Sequence, residues 1–467
     1  MTAIVWLRRD LRLRDHPALR TALDRHEHVI PFFCLDDRLL GGRFASGPRT
    51  QFMLEALADL DAGLRDRGGA LVIRRGPPEQ ELARLIEQSG ADEVHFTQEL
   101  TPFGRGRGLR VRSALERTSA VLCAHPGLTV ADDVTEIRTQ QDRPYTVFSP
   151  FRRNWSELPR RPVLQAPRAV QLPATIEAGE IPGLADLGLE QEVAEPMAGG
   201  ESEGNRRLER FLAGPVDRYR RGGQDDLARD GTSRLSAYLH FGCVSPLQIE
   251  ARLAGGEGPQ AFRRQLCWRD FYHHVLWAHP DNARQEYQER YRGTIDWVED
   301  GDLLTAWQHG RTGYPLVDAG MRQLLREGWM HNRARLVVGS FLTKDLGIDW
   351  REGEAWFMRL LLDGDEANNN GNWQWIASVG TDPQPYFRRI YNQALHIERF
   401  DPEGIYVRRY VPELASVPDR WLSEPWEMPE EVQRDCGCVI GRDYPEPIVD
   451  RRAAREAAKA RYRAAAG

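Results

Sequence analysis

The hydrophobic period changes once along this chain, and that change limits the folds open to it. Up to about residue 125, short apolar runs alternate with amphipathic stretches; from Asn205 onward only the helical period continues. Residues 3–7, 29–34, 71–74, 93–97 and 121–124 read as buried strands, and 50–67 and 79–89 as helices, the latter stopped by Gly90. Strands separated by helices of this length imply right-handed crossovers and a parallel sheet covered on both faces. No Gly-x-Gly-x-x-Gly follows the first strand, and Gly104-Arg-Gly-Arg-Gly108 has the wrong spacing for that fingerprint, so nothing places the main cofactor here. Residues 159–204 are rich in Pro, Gly, Ala and Glu with weak periodicity and read as a surface connector. Beyond them, 258–279, 314–327, 356–362 and the Arg/Ala-rich 451–466 read as helices. The expected division is an α/β domain with a Rossmann-like parallel sheet over 1–130, a connector over 131–204, and an all-α domain over 205–467.

With 467 residues, 41% hydrophobic and 28% charged, the composition is that of a soluble globular protein of two or three domains. No apolar run reaches membrane-spanning length, and the start runs straight into a strand rather than a signal peptide. The six cysteines do not make a disulfide framework, and Cys436-Gly-Cys438 lacks two further ligands at metal spacing. A reducing cytoplasm, no metal, no membrane and a monomer without an obligate protein partner are the expectations. The net charge of −6 has the wrong sign for a nucleic-acid binder. Lys344 and Lys459 are the two lysines, however, so arginine supplies nearly all of the 63 basic side chains, and arginine is the better residue for bidentate phosphate contact. Composition leaves DNA binding open.

Residues 363–375 read Asp-Gly-Asp-Glu-Ala-Asn-Asn-Asn-Gly-Asn-Trp-Gln-Trp. Acids and amides ending in two tryptophans suit a buried polar ligand that needs several aimed hydrogen bonds and flat walls; an Asx-rich turn capping a helix uses the same residues. Upstream, Gly231-Thr-Ser-Arg-Leu-Ser236 opens a helix with hydroxyls and glycine. That pattern favours a phosphate on free N–H groups, or a plain Ser/Thr cap.

The 363–375 run closely resembles the flavin-cradling segment of the photolyase/cryptochrome family. Other words match in order: Trp6-Leu-Arg-Arg-Asp-Leu-Arg, Trp268-Arg-Asp-Phe-Tyr272, Gly310-Arg-Thr-Gly-Tyr-Pro-Leu-Val-Asp-Ala-Gly-Met-Arg322, Trp329-Met-His-Asn-Arg333, Ser340-Phe-Leu-Thr-Lys-Asp-Leu346 and Asp349-Trp-Arg-Glu-Gly353. The chain is nearest to the class I cyclobutane-dimer photolyases, and the resemblance implies FAD in the helical domain. By it, Tyr219 and the hexamer residues Thr232, Ser233, Arg234, Leu235 and Ser236 hold the cofactor, the hexamer at its pyrophosphate. Arg335 and Asp363 match a buried ion pair beside the ring, with Gly364 next to it. Asp365 accepts from the ring's N3–H, and Asn369 faces N5, where a neutral amide can accept from a protonated nitrogen. Trp373, Trp350 and Trp297 match an electron-hopping chain, although any of thirteen tryptophans could simply be core.

The substrate side of the resemblance is less regular. Trp268 and Trp375 match the aromatic walls around a flipped-out pyrimidine dimer; photolyases are among the base-flipping enzymes. Gln265 stands where the dimer photolyases usually carry glutamate, and Leu336 where they usually carry methionine. The histidine pair of (6-4) photolyases is replaced by Asn332 and Leu336. Arg269 and Arg333 match DNA-phosphate contacts. Phe103-Gly104 replaces the Asn-Glu of a folate-type antenna pocket, and Thr101-Pro-Phe-Gly-Arg105 looks more like members that bind a deazaflavin or a second flavin. The implied activity is light-dependent splitting of cyclobutane pyrimidine dimers in UV-damaged DNA. The alternative is a cryptochrome-type blue-light photoreceptor with weak or no repair.

Overall fold

The computed structural model describes residues 1–228, 231–382 and 384–466. The strands β1 (Thr2–Leu7), β2 (His28–Leu35), β3 (Val72–Arg75), β4 (Glu93–Thr97) and β5 (Val121–His125) form a parallel sheet in the order β3-β2-β1-β4-β5. Ala3 lies between Val29 and Glu93, which fixes the register on both sides of β1. Alternation sends Ala3, Val5 and Leu7 to a core shared with α1 (Pro17–Arg25) and α2 (Gly47–Arg65). Ile4 and Trp6 face the opposite core, closed by α3 (Pro78–Ser89) and α4 (Pro102–Leu115). Burial on both faces explains the near-continuous apolar strands. The Gly104–Gly108 run lies inside α4, whose cap Thr101 accepts from the Gly104 N–H at 3.1 Å, so it is a helix interior and not a phosphate loop.

The connector differs in part from the expectation. Within it, α5 (Phe148–Glu157) buries Phe148, Phe151 and Trp155, and the Trp155 indole donates to Asp270 at 2.9 Å. The Pro/Gly-rich composition that marks the connector begins only after this helix, whose buried aromatic residues recur at helical spacing. The later part of the connector runs past the sheet edge, where Gln171 and Ala178 carbonyls accept from Val29 and Ile73 N–H groups. The helical half that follows includes α6 (Ser236–His240), α7 (Glu257–Ala278), α8 (Pro315–Glu327), α9 (Asn332–Ser340), α10 (Trp350–Leu360), α11 (Glu366–Ala377) and α12 (Arg451–Ala466), with further helices and turns between. Asp349 caps α10 by accepting from Arg351 N–H, so that helix starts six residues earlier than its apolar pattern indicates. A π-helical segment, Phe341–Leu346, continues α9. Among the described residues, no helix is long and apolar enough to cross a membrane.

Arginines from the α/β half lock the two halves together. Arg12 donates to the Gly242 carbonyl at 3.0 Å, Arg9 pairs with Asp365, Arg43 pairs with Glu366, and Arg49 reaches the Met358 carbonyl. Part of the arginine excess is thus spent on backbone carbonyls and internal ion pairs.

Candidate functional site

Two elements converge on the polar end of the site. Arg335, one turn into α9, donates to Asp363 Oδ2 at 2.8 Å, and its Nε is held by the Met330 carbonyl. Asp363 precedes α11 and its side chain is 6% exposed. Its other oxygen, Oδ1, is buried with no hydrogen-bond partner. A buried ionised oxygen without a donor is costly, so this position fits a ligand N–H or O–H. One turn into α11, Asn369 commits its amide N–H to the Glu354 carbonyl at 2.9 Å, leaving the amide oxygen as the atom able to accept. These donors and acceptors fit an isoalloxazine edge, which Arg335, Asp363 and Asn369 would hold. Adjacent polar residues that the sequence reading missed include Glu354, one turn beyond Trp350 on α10. Burial pushes its carboxyl up to about 7 against the pull of Arg43 and the Asn369 amide, with Glu366 adding to the rise.

Glu354 makes a pH prediction possible. Below about 7 the carboxyl keeps its proton and can supply it to the Asn369 side of the site; above that pH it is ionised and the donor is lost. Photoreduction of the flavin-loaded protein should therefore reach different absorbance end-points at pH ~6 and pH ~8, and Glu354→Gln should flatten the difference. The same pH profile in that variant would place the proton source elsewhere.

Asp365 and Gly364 make contacts beyond those that the resemblance implies. Asp365 caps α11, accepting from the Asn368 backbone N–H at 2.8 Å and from the Asn368 side chain, while its second oxygen pairs with Arg9. Burial alone would raise its pKa, but the Arg9 guanidinium holds it well below the usual carboxylate range. His240 and His273, 3.8 and 3.9 Å away, are kept neutral by burial, with pKa values near 4 and 3, so Arg9 is the charge that matters. Gly364 lines an inter-domain cavity of about 150 Å³ at the carboxyl ends of β1 and β2. The wall includes Arg8, Phe33, Asp36, Thr101, Phe103 and Glu366. Glu99 and Thr101, just after β4, also line it, and since the strand order reverses between β1 and β4 the cavity adjoins the topological switch point of the sheet, where ligands of open α/β folds bind. The turn 363–366 is therefore a partition: Asp363 faces Arg335 on one side, and Gly364 and Glu366 face the cavity on the other.

The hexamer behaves as a loop until its last residue, with α6 starting at Ser236 under a backbone cap at Leu235. Arg234 sits at φ 50°, its guanidinium on Glu327 at 2.8 Å and 4.3 Å above Trp329. Ser233 Oγ accepts from Leu235 N–H at 3.3 Å. No side-chain cap is made to α6, which removes the plain Ser/Thr cap as the reason for these hydroxyls. Tyr219 is buried edge-on to Phe211 and Phe262.

The three tryptophans range from the buried Trp373 and Trp350 to the partly exposed Trp297. Trp373 on α11 is buried against Phe357 at 5.0 Å, and a Cβ on Gly353 would sit 2.1 Å from its ring, so only glycine lets α10 lie across it. Trp350 stands one turn before Gly353 on α10, 1% exposed, its indole donating to Glu286 at 3.3 Å. Two residues before Ile348, Leu346 ends the π segment, and the following Gly347 carbonyl accepts from Val298 N–H at 2.8 Å, which sets partly exposed Trp297 beside this loop.

The opposite face is made by α7 and α11. Gln265, Trp268 and Tyr272 follow one stripe of α7, and Asn368, Gly371 and Trp375 one stripe of α11; Tyr272 closes on Gly371, where a Cβ would lie 2.1 Å from its ring. Gln265 is exposed and Trp268 partly so, with Phe148 stacked flat on Trp268 at 3.5 Å. Trp375 is fixed by its indole N–H on Asp382 at 2.9 Å and by Arg389 at 3.9 Å from the ring. Asn332 is exposed and Leu336 partly buried, four residues apart on α9. Arg333 pairs with Asp225 and lies over Phe400. Arg269 corrects the expectation: its guanidinium turns inward to the Leu128 carbonyl at 2.7 Å and the Leu239 carbonyl at 3.2 Å, so it braces the two halves and is not available to a phosphate.

Comparison with known proteins gives this geometry a lineage. Residues 3–171 match the family described as DNA photolyase, and residues 262–464 match the FAD binding domain of DNA photolyase. A deoxyribodipyrimidine photo-lyase of Streptomyces griseus is 42% identical over 457 residues, covering 97% of each chain. A class III photolyase from Agrobacterium tumefaciens superposes with a TM-score of 0.92 at 34% identity, over 99% of this chain and 97% of that one. An archaeal photolyase from Sulfolobus tokodaii, solved with two FAD molecules, gives 0.85 at 30% identity, over 99% and 100%. Both family matches and relatives of this identity and coverage agree with the fold, and the chain belongs to the photolyase/cryptochrome family.

Proposed function

We propose that this chain is a deoxyribodipyrimidine photo-lyase that splits cyclobutane pyrimidine dimers in UV-damaged DNA under blue light. The observation that carries this reading is the paired aromatic face of α7 and α11. There, Trp268 and Trp375 stay partly exposed and Gln265 exposed, with Trp375 on the helix that carries Asn369. A photoreceptor without substrate does not require aromatic walls at such a face. The chemistry a bound, reduced FAD supplies is one-electron donation after light absorption, with the electron recovered once the ring has opened. Arg335 and Asp363 bind and orient the ring edge, and Asn369 holds the position opposite Glu354. Trp268 and Trp375 stack the extruded bases and exclude water, while Gln265 can donate its amide N–H to a thymine carbonyl. Two carbon–carbon bonds of the cyclobutane break, both pyrimidine double bonds are restored, and there is no net redox change. The inter-domain cavity suits a second, aromatic light-collecting chromophore, a deazaflavin or flavin, between Phe103 and Phe33. The test is anaerobic repair of dimer-containing single-stranded and duplex DNA under blue light with a dark control; loss of dimers only in the light supports the proposal. No repair by flavin-loaded, reduced protein would leave the photoreceptor reading.

Gln265 provides a finer test. A protonated carboxyl in the closed complex would donate a shorter, stronger hydrogen bond than an amide as charge develops on the thymine carbonyl. Gln265→Glu should therefore preserve folding and raise the quantum yield of splitting, with the gain lost as rising pH ionises the glutamate and sets its charge against the substrate anion. Yield measured with prereduced protein over a pH series checks this; no effect on binding or yield at any pH would put residue 265 outside the substrate contact.

A further inference from the structure

Where the end of α1 meets β4, three side chains from two elements point at one spot. His26 is the residue that ends α1, and Glu93 and His95 alternate onto the same face of β4. A nitrogen or carboxylate oxygen from each of the three lies within 4.8 Å of the others. His95 Nε2 is 2.9 Å from Glu93 Oε2, and His26 Nε2 is 4.0 Å from the same oxygen. Ligand atoms held at ~2.1 Å from one ion lie about 3–4 Å apart, so these separations already approach a coordination shell.

Neither hydrogen bonding nor packing accounts for the arrangement. His95 is completely buried, yet its Nε2 has no hydrogen-bond partner, and Glu93 Oε2 is buried without one as well, despite their proximity. The other nitrogen of the same ring, His95 Nδ1, is 2.9 Å from His125 Nε2, the next strand's last residue, and the two rings stack 5.1 Å apart. A ligating histidine that passes its second N–H to a neighbouring acceptor is the usual outer support of a metal site, because it fixes the tautomer and aims the free lone pair. The competing partner of Glu93 is Arg25, at 3.6 Å, but its side chain is more than half exposed and can leave without rearrangement of the fold. Cys123 pairs in register with His95 on β5 and adds a soft atom to the same face of the sheet.

We propose that His26, Glu93 and His95 form a binding site for a divalent transition-metal ion of the zinc class, with His125 orienting His95 and water completing the shell. The mixed imidazole and carboxylate set suits zinc, cobalt or nickel and not magnesium or calcium, which prefer oxygen alone. The ion would clip the end of α1 to the strand beside it and take no part in the light chemistry, since the described flavin residues are all in the other half.

Flavin-loaded protein stripped with a chelator and dialysed should take up one equivalent of Co²⁺ with the visible bands of a bound ion, and Zn²⁺ should displace it. Calorimetric titration with Zn²⁺ should give micromolar or tighter affinity, and loading should raise the thermal midpoint. His26→Gln and Glu93→Gln each leave His95 in its packed place, so the protein should keep its flavin absorbance and circular dichroism while Zn²⁺ affinity falls by tenfold or more. Substitution of His125 by Phe should weaken the ion by roughly 10–100-fold through the lost support of His95. Absence of binding by the wild-type protein, or binding that both His26→Gln and Glu93→Gln leave intact, would overturn the proposal and make the cluster a buried ion pair.

Discussion

Trp350→Phe should retain its flavin and lose light-driven reduction of the oxidised cofactor by more than an order of magnitude. Phenylalanine fills most of the buried space of Trp350 but is far harder to oxidise, so a chain that hops from Trp373 to Trp297 is cut at its middle. Burial makes the test clean. Trp350 opens α10 with its indole on Glu286 and is no partner of the Arg335–Asp363 pair, so flavin affinity should be kept. Lost packing and the orphaned Glu286 contact should cost about 1–3 kcal/mol of stability. Steady-state illumination with an external reductant, followed by absorbance of the oxidised flavin, reads the effect. Repair by chemically prereduced protein should be unchanged. Normal photoreduction in the variant would mean that electrons reach the flavin by another route.

Arg335→Ala should have the largest effect on cofactor retention. It leaves Asp363 with both oxygens unpaired in a site where the side chain is 6% exposed. Breaking a buried ion pair from one side typically costs about 3–5 kcal/mol, which is a hundredfold or more in an equilibrium constant. The protein should therefore purify largely colourless and take up added FAD with an affinity reduced by that factor. Asp363→Asn in the same background should restore part of it, because the neutral amide no longer needs a cation. Flavin content after gel filtration and a fluorescence titration with FAD measure both. Full flavin retention by Arg335→Ala would separate the pair from the cofactor.

The parts of this molecule that could be read from sequence are those where one residue type has one physical outlet. The strands β1 and β2 were legible because burial on two faces leaves few polar residues in them, whereas β5, read as buried, is partly exposed; the C-terminal helix at Arg451–Ala466 was legible because nothing in it competes with helix. The flavin-side pair of Arg335 and Asp363 meets as the motif implies. Direction was harder to read than position. Arg269 sits in a motif that suits phosphate, but on its helix it points at one carbonyl from each half, Leu128 and Leu239. Gly364 and Asp365 are next to the flavin-side aspartate in sequence, yet consecutive residues at a helix start point to different sides, so they serve the inter-domain cavity and Arg9. Glu354 carried no signal of its own, since its raised pKa comes from burial that only the folded chain creates, with Glu366 of α11 adding to the rise and Arg43 opposing it. The His26, Glu93 and His95 cluster was equally silent: its residues are spread over seventy positions and meet only when the strand order places β4 beside α1.

The partition formed by residues 363–366 has a thermodynamic consequence. One turn of chain supplies Asp363 to the flavin side and Gly364 and Glu366 to the inter-domain cavity, with Arg9 and Arg43 anchoring it from the sheet. Any ligand that settles in the cavity and stiffens this turn changes the free energy of flavin binding, and by reciprocity the flavin changes that ligand's affinity by the same factor. Occupancy of the two chambers is then a single linked equilibrium, so a preparation short of one chromophore should also release the other more readily.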